Sequence, residues 1–193
     1  RRELADYEAG RIGRLPLPWP EVDSIYAGFG LPPGSVGLLS SRMGTGKSWF
    51  VLHLALCVGG YRRAWSHPVF VLNTEMGLAR NDRRLMAVAA QDARLMSAQR
   101  ESDFAVAEYE YGESLVKLPL RMTEAEPITV EQALAVLTRE AARCRLVVLD
   151  HIGDLTTTGK RFEALPQLAR DARRMARQTG AVVLLVTHLK TGE

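Results

Sequence analysis

The stretch that decides the fold is Val36-Gly37-Leu38-Leu39-Ser40-Ser41-Arg42-Met43-Gly44-Thr45-Gly46-Lys47-Ser48-Trp49-Phe50. Apolar and small residues lead into a Gly-rich turn, which is followed by Lys-Ser and an apolar run. This is the strand, loop and helix context that a P-loop needs. Gly44 and Gly46 allow the backbone to curl so that successive N–H groups point at phosphate oxygens. A helix that begins near Lys47 adds the positive end of its dipole.

Lys47 and Ser48 supply the side-chain chemistry of this loop. The Lys47 ammonium can reach the β- and γ-phosphates of a nucleotide, and the Ser48 hydroxyl is a ligand suited to Mg²⁺. Ser41 stands where the pattern G-x-x-x-x-G-K-[ST] has its first glycine. A Gly-rich helix start without a ligand is the alternative, but the surrounding strand and helix favour a P-loop. The residues predicted to bind the nucleotide are Ser41, Arg42, Met43, Gly44, Thr45, Gly46, Lys47, Ser48 and Trp49.

The composition is that of an ordinary globular domain. The 193 residues are 47% apolar and 24% charged, which argues against a disordered or fibrous chain. A net charge of +3 is compatible with a nucleic-acid partner and does not require one. Cys57 and Cys144 lie in apolar surroundings and are expected to be reduced core residues. The apolar run over 49–60 is too short to span a bilayer, and the charged N-terminus is no signal peptide, so we expect a cytoplasmic protein with no membrane partner.

Apolar strands alternate with helices along the chain. After the strand that precedes the P-loop, we predict strands over 67–73, 115–122, 145–150 and 181–186. The predicted helices cover 49–59, 78–97, 129–142 and 161–178, and the third begins with a capping box of Thr129 and Gln132. Residues 99–112 have no clear assignment. This alternation predicts an α/β fold with a mostly parallel sheet flanked by helices.

Three polar residues follow apolar strands directly, where ligands of parallel sheets bind. Asp150 is placed to hold Mg²⁺ opposite Ser48, and its alternative role is to cap the next turn. Glu75 is placed to orient, or accept a proton from, the water that attacks a γ-phosphate, and its alternative is a solvated loop residue. His188 is placed to contact the γ-phosphate, and its alternative is purely structural. We therefore predict catalytic roles for Lys47, Glu75 and His188, and metal ligation by Ser48 and Asp150.

Basic residues beyond the sheet edge are candidates for nucleic-acid contacts. Lys160 and Lys190 lie in or beside loops that follow strands, so we regard them as possible DNA contacts. The arginines of the helix over 161–178 could meet a phosphate backbone or a neighbouring subunit. A solvated helix face is the interpretation that the pattern favours.

Taken together, these motifs resemble the RecA-like ATPase domain of ring-shaped, DnaB-like replicative helicases, in particular the phage primase–helicase and Twinkle branch. Ser-Arg-Met-Gly-Thr-Gly-Lys-Ser at 41–48 resembles the Walker A of that branch, where a small residue often replaces the first glycine. Asn-Thr-Glu-Met at 73–76 resembles the segment with the catalytic glutamate. Leu-Asp-His-Ile at 149–152 resembles the Walker B, and Thr-His-Leu-Lys at 187–190 resembles the phosphate sensor.

The resemblance, which covers about 15–190, implies an enzyme and its partners. It implies a RecA-like P-loop core that binds ATP and Mg²⁺, assembles into a ring, typically a hexamer, and moves on single-stranded DNA. It also implies that a neighbouring subunit provides an arginine finger to each site. In that family the arginine finger and further C-terminal strands lie downstream of the region matched here. We expect residues 1–14 to be a linker or N-terminal helix and residues 15–193 to be the ATPase core, without its last strands and only weakly active alone.

Two other functions remain open on the sequence alone. A RecA-, RadA- or KaiC-like ATPase would share the core, although the segments at 73–76 and 187–190 favour a helicase. A nucleotide-dependent regulator or loader would grip DNA or a partner without unwinding duplex. DNA-stimulated ATP hydrolysis with or without strand separation discriminates between these functions.

Overall fold

Five parallel strands form one sheet in the computed structural model, which describes residues 13–15, 17–19, 21–22, 30–63, 66–75, 77–97, 100–125, 127–157 and 161–189. The strands are β1 (Val36–Ser41), β2 (Val69–Asn73), β3 (Leu120–Glu124), β4 (Leu146–Asp150) and β5 (Val182–His188). Their order in the sheet is β1-β5-β4-β2-β3, and every neighbouring pair is parallel. The predicted α/β fold with a parallel sheet is therefore confirmed.

Helices connect the strands and cover the sheet. They are α1 (Lys47–Gly59), α2 (Leu78–Ala90), α3 (Glu101–Val116), α4 (Val130–Ala141) and α5 (Arg161–Thr179), with short 3-10 turns at Ala93–Met96 and Ile152–Asp154. The predicted capping box of α4 is present, since Thr129 and Gln132 exchange side-chain to backbone hydrogen bonds. Among the described helices, none combines the length and the apolar character that crossing a bilayer needs.

The inner strands β2 and β4 are buried along their whole length and β5 over its first five residues, which explains why these three strands read as apolar runs. Side chains of one strand alternate between the faces. Val69 and Val71 of β2 pack towards α1, whereas Phe70 and Leu72 pack towards α4 and α5. The nearly all-apolar α1 is buried as predicted, and it ends at Gly60, whose left-handed φ of 94° closes the helix.

Two predicted element boundaries are wrong. The predicted helix over 78–97 stops at Ala90, because Gln91 adopts a left-handed conformation and the Asp92 side chain accepts the Arg94 N–H to start a 3-10 turn. The predicted strand over 115–122 begins only at Leu120, where pairing with Val69 of β2 begins. Residues 115 and 116, the first two of that predicted strand, are instead the last two residues of α3. The same helix contains most of segment 99–112, which the sequence left unassigned.

Several expectations for the N-terminal part fall outside the described residues. The expected helix or linker over 1–14 is covered only at residues 13 and 14. Leu15 is buried and pairs its backbone with Leu31 in an isolated antiparallel bridge, so the chain packs onto the core from this point.

Candidate nucleotide-binding site

The loop between β1 and α1 has the backbone of an anion cradle. Gly44 and Gly46 have left-handed φ angles of 77° and 96°, which side chains with a Cβ rarely adopt. A Cβ added at either glycine would meet nothing within 4 Å, so the loop faces open space. Gly46 caps α1 without a side-chain hydrogen bond, which leaves the first-turn N–H groups as donors for an anion.

Three side chains tie this loop together. Lys47 is buried, and its Nζ donates to the carbonyl oxygens of Arg42 at 2.8 Å and Ser41 at 3.0 Å. The hydroxyls of Ser41 and Thr45 are hydrogen bonded to each other, and the Thr45 hydroxyl also donates to the Arg42 carbonyl at 2.8 Å. The described non-glycine residues with positive φ are Arg62 and Gln91, so the backbone at Ser41 does not require glycine. The serine that departs from the usual pattern thus adds a bond to the loop.

A cleft of about 320 Å³ opens beside the loop, at the carboxyl ends of the strands. It is lined by Met43, Gly44, Gly46, Lys47, Ser48, Trp49, Glu75, Arg80, Arg84 and His188. Trp49 is half-buried and also packs against the small cluster around Met86, so it belongs to both the cleft and the core. Arg42 is exposed at the loop tip and contributes its carbonyl oxygen to the loop bonds.

Asp150 ends β4 next to the start of α1. Asp150 is buried, and its carboxyl lies near the Ser48 hydroxyl. Burial and the nearby charge of Glu75 raise the pKa of Asp150 to about 6, although the Ser48 hydrogen bond and the positive charges of Arg84 and Lys47 lower it. A buried carboxylate beside a hydroxyl and a second carboxylate is a donor set that suits a hard divalent cation.

Glu75 and His188 meet across the sheet edge. Glu75 Oε1 lies 3.4 Å from His188 Nε2, and the backbone N–H of Glu75 donates to Asn73 Oδ1 at 3.1 Å. The structure therefore brings the three predicted strand-end residues to one edge, where Glu75 and His188 line the cleft and Asp150 lies beside them. Their catalytic roles remain predictions.

Two further residues belong to this region and were missed as site residues. Arg84 of α2 is buried in the cleft, and its charge interacts with Asp150 and Glu75. A signal was present, because Asn81 and Arg84 interrupt the apolar face of α2 with buried polar residues. His151 is buried directly after Asp150, and its Nε2 accepts the backbone N–H of His188 at 2.7 Å.

Glu75, His151 and His188 together present three ligand-type side chains within 4.8 Å of one another. Several of these ligand atoms are nevertheless engaged, since Glu75 Oε1 lies 3.4 Å from His188 Nε2. His151 Nε2 accepts a backbone N–H, and its Nδ1 lies 3.3 Å from Asp154 Oδ2. This trio therefore suits mutual positioning better than it suits a tightly bound transition metal.

The structure does not test the predicted DNA contacts, because Lys160 and Lys190 lie outside the described residues. On α5, Arg170, Arg173, Arg174 and Arg177 are exposed, in agreement with a solvated face.

A larger groove of about 480 Å³ lies between α2, α3 and β3. It is mostly apolar and contains no P-loop residue, so its size does not make it the nucleotide site.

The fold and this cleft define a P-loop nucleotide-binding protein with a RecA-like core. A family model described as AAA domain matches residues 3–193. The chain therefore belongs to the AAA domain family of P-loop ATPases. No curated protein matches the sequence.

Solved structures share the fold at low sequence identity. One described as an ATPase domain is 21% identical with a TM-score of 0.79, and the match covers 98% of this chain and 68% of that one. A structure described as a DnaB-like replicative helicase and its interactions with primase is 20% identical with a TM-score of 0.77. That match covers 97% of this chain and 46% of the other, so the chain spans less than half of that helicase. These likenesses confirm the RecA-like ATPase fold of DnaB-type proteins.

Proposed function

We propose that this chain is the ATP-binding motor domain of a ring-shaped replicative DNA helicase. The observation that carries the proposal is the meeting of Lys47, Ser48, Glu75, Asp150 and His188 at one carboxyl edge of the sheet. Likeness to DnaB-type ATPase domains supports the helicase class, and the AAA domain family supports nucleotide use.

The residues of the site divide the work of phosphoryl transfer. The N–H groups of the P-loop and the Lys47 ammonium bind the phosphates, and Ser48 and Asp150 would hold Mg²⁺, which neutralises charge on the transferring group. Glu75 orients the attacking water and accepts its proton, since its carboxylate faces the cleft. His188 contacts the γ-phosphate. A buried arginine of α2, Arg84, supplies positive charge beside the two carboxylates.

Turnover at a useful rate requires a second subunit in this proposal. An arginine finger from a neighbour would stabilise the charge of the transition state, which contributes about 10³–10⁵ in rate in well-studied NTPases. We therefore expect the isolated 193-residue chain to bind nucleotide and hydrolyse it slowly. Rapid hydrolysis by the purified monomer would contradict this requirement.

The function is tested on the full-length protein. ATP hydrolysis is measured with and without single-stranded DNA, alongside strand separation of a forked duplex, with Lys47→Ala as the inactive control. The helicase predicts DNA-stimulated hydrolysis and unwinding, together with a six-membered ring by electron microscopy with nucleotide. Stimulated hydrolysis without strand separation would instead identify a nucleotide-dependent regulator or loader, and filaments would point to a recombinase-type ATPase.

A further inference from the structure

The backbone of His151 is clamped to the end of β2. The Thr74 hydroxyl accepts the His151 N–H at 2.9 Å and donates to the His151 carbonyl at 2.7 Å. Thr74 itself is buried, and its N–H donates to the Asp150 carbonyl at 2.8 Å. Because these bonds tie the ends of β2 and β4 together, His151 starts from a fixed backbone next to the proposed metal ligand.

The ring of His151 then reaches the end of β5. The pairing of β4 with β5 runs only as far as Leu149 and Leu185, so the last residues of β5 extend beyond their neighbour. On its other side β5 stays paired with β1 as far as Ser41 and His188. The His188 N–H donates to His151 Nε2 at 2.7 Å, and the two rings lie 4.0 Å apart. The imidazole thus replaces a strand as the partner of this N–H.

This hydrogen bond assigns the protonation state of His151. A nitrogen that accepts an N–H carries no proton, so the proton of the neutral ring is on Nδ1, which lies 3.3 Å from Asp154 Oδ2. The neutral form is the one that can hold His188.

Gly153 makes room for the ring. A Cβ at residue 153 would lie 2.0 Å from His151 Cε1 and 2.6 Å from Nδ1, so any side chain there would displace the imidazole. The ring is therefore bracketed by the backbone of the 3-10 turn on one side and by His188 on the other. Such close packing leaves it one position.

We propose that His151 is a positioning residue that holds His188 in register for detection of the γ-phosphate. The inference rests on the proposed function, since it assumes that the cleft binds a nucleoside triphosphate. Without the acceptor, the His188 N–H would lose its partner, and the end of β5 would shift or admit water. His188 would then lose its place beside Glu75, and the protein would distinguish less well between ATP and ADP.

The test compares nucleotide affinities of the 193-residue chain and two variants. His151→Phe keeps an aromatic ring without an acceptor, whereas His151→Gln retains an acceptor near the Nε2 position. Dissociation constants are measured for Mg-ADP and for a slowly hydrolysed Mg-ATP analogue. We expect His151→Phe to reduce the preference for the triphosphate about tenfold, which is the scale of losing the charge-assisted hydrogen bond between His188 and the γ-phosphate. The affinity for ADP should change less than about twofold. His151→Gln should recover most of the preference.

Gly153→Ala provides an independent variant with His151 intact, and it should reduce the same preference. Gly112→Ala on α3 is its matched control, because a Cβ there meets only Glu108 Cγ at 3.7 Å. Nitrogen NMR of the histidine rings adds a readout that needs no nucleotide, with Nδ1–H expected for His151. An unchanged preference in His151→Phe, an equal loss of ADP and triphosphate binding, or an Nε2–H ring would overturn the inference. Failure of the unmodified chain to bind either nucleotide would overturn the proposed function instead.

Discussion

The Ser48 hydroxyl in the first turn of α1 lies close enough to the Asp150 carboxyl at the end of β4 to lower the pKa of that carboxyl. The contact brings together the two residues proposed to hold Mg²⁺. It also places a carboxylate in a buried position next to Glu75, where ionisation is less favourable than in water. The site therefore contains a group whose charge serves binding and opposes folding.

Asp150→Asn should stabilise the nucleotide-free protein at neutral pH. The pKa of Asp150 rises from 3.8 to about 6 on folding, so the folded state binds the proton more tightly than the unfolded state. The contribution of this group to stability is then lost as pH rises from about 4 to 6, up to about 3 kcal/mol. We expect the variant to raise the free energy of unfolding by about 1–3 kcal/mol at pH 8 and to have little effect at pH 4.

Urea unfolding at both pH values, with a chelator present, checks this expectation. Asp171→Asn is a suitable control, because Asp171 of α5 lies 3.6 Å from Arg174 and its loss removes a favourable pairing. The control should leave stability at pH 8 unchanged or lower. A decrease for Asp150→Asn at pH 8 would show that the favourable interactions of the carboxylate with Ser48, Arg84 and Lys47 outweigh the cost of burying its charge.

Affinity for Mg-nucleotide should fall below about pH 6, since protonated Asp150 is a poor metal ligand. Arg84→Gln removes one of the positive charges that lower the pKa of Asp150, so the midpoint of this fall should move to higher pH by roughly half a pH unit or more. Arg80→Gln is the matched control from the same cleft and should move it less, because Arg80 is exposed. Titration of binding from about pH 5 to 8 measures the midpoints, and equal midpoints in all three proteins would contradict the role of Arg84.

The hydroxyl pair of Ser41 and Thr45 should contribute measurably to nucleotide affinity. Ser41→Ala removes the bond to Thr45 and the contact with Lys47 Nζ at 3.3 Å, which leaves the loop less ordered. We expect affinity to fall about three- to tenfold, compared with more than about a hundredfold for Lys47→Ala. A double-mutant cycle with Thr45→Val isolates the pair, and additive losses would show that the two hydroxyls do not act together.

Much of this arrangement could be predicted because it is local. The Gly-Thr-Gly-Lys-Ser turn dictates its own backbone, and apolar strands followed by Glu75, Asp150 and His188 need only a parallel sheet to converge. Arg84 and His151 could not be assigned in the same way, because their roles depend on which side chains other elements bring near. His151 accepts an N–H from a residue 37 positions away, at a point where β4 has already ended.

The misplaced boundaries have a similar cause. The helix end at Gln91 depends on one left-handed residue and on the Asp92 side chain, which competes for the backbone. The start of β3 depends on its pairing with β2, since this edge strand has a neighbour on one side only. Apolar pattern alone therefore merged the end of α3, at Val116, with a strand that begins at Leu120.

Glu75→Gln should separate nucleotide binding from turnover. The amide has nearly the same shape as the carboxylate, so it can still accept a bond from His188 Nε2, but it cannot take a proton from water. In the full-length protein we expect DNA-stimulated hydrolysis to fall about 10²–10⁴-fold while ATP affinity changes less than about threefold. Lys47→Ala should abolish binding itself, and Glu113→Gln, on the exposed face of α3 and outside the cleft lining, should spare both properties. Steady-state hydrolysis and equilibrium binding, measured on the same preparations, distinguish the two roles of Glu75. Loss of both properties in Glu75→Gln would assign Glu75 to nucleotide binding rather than to water activation.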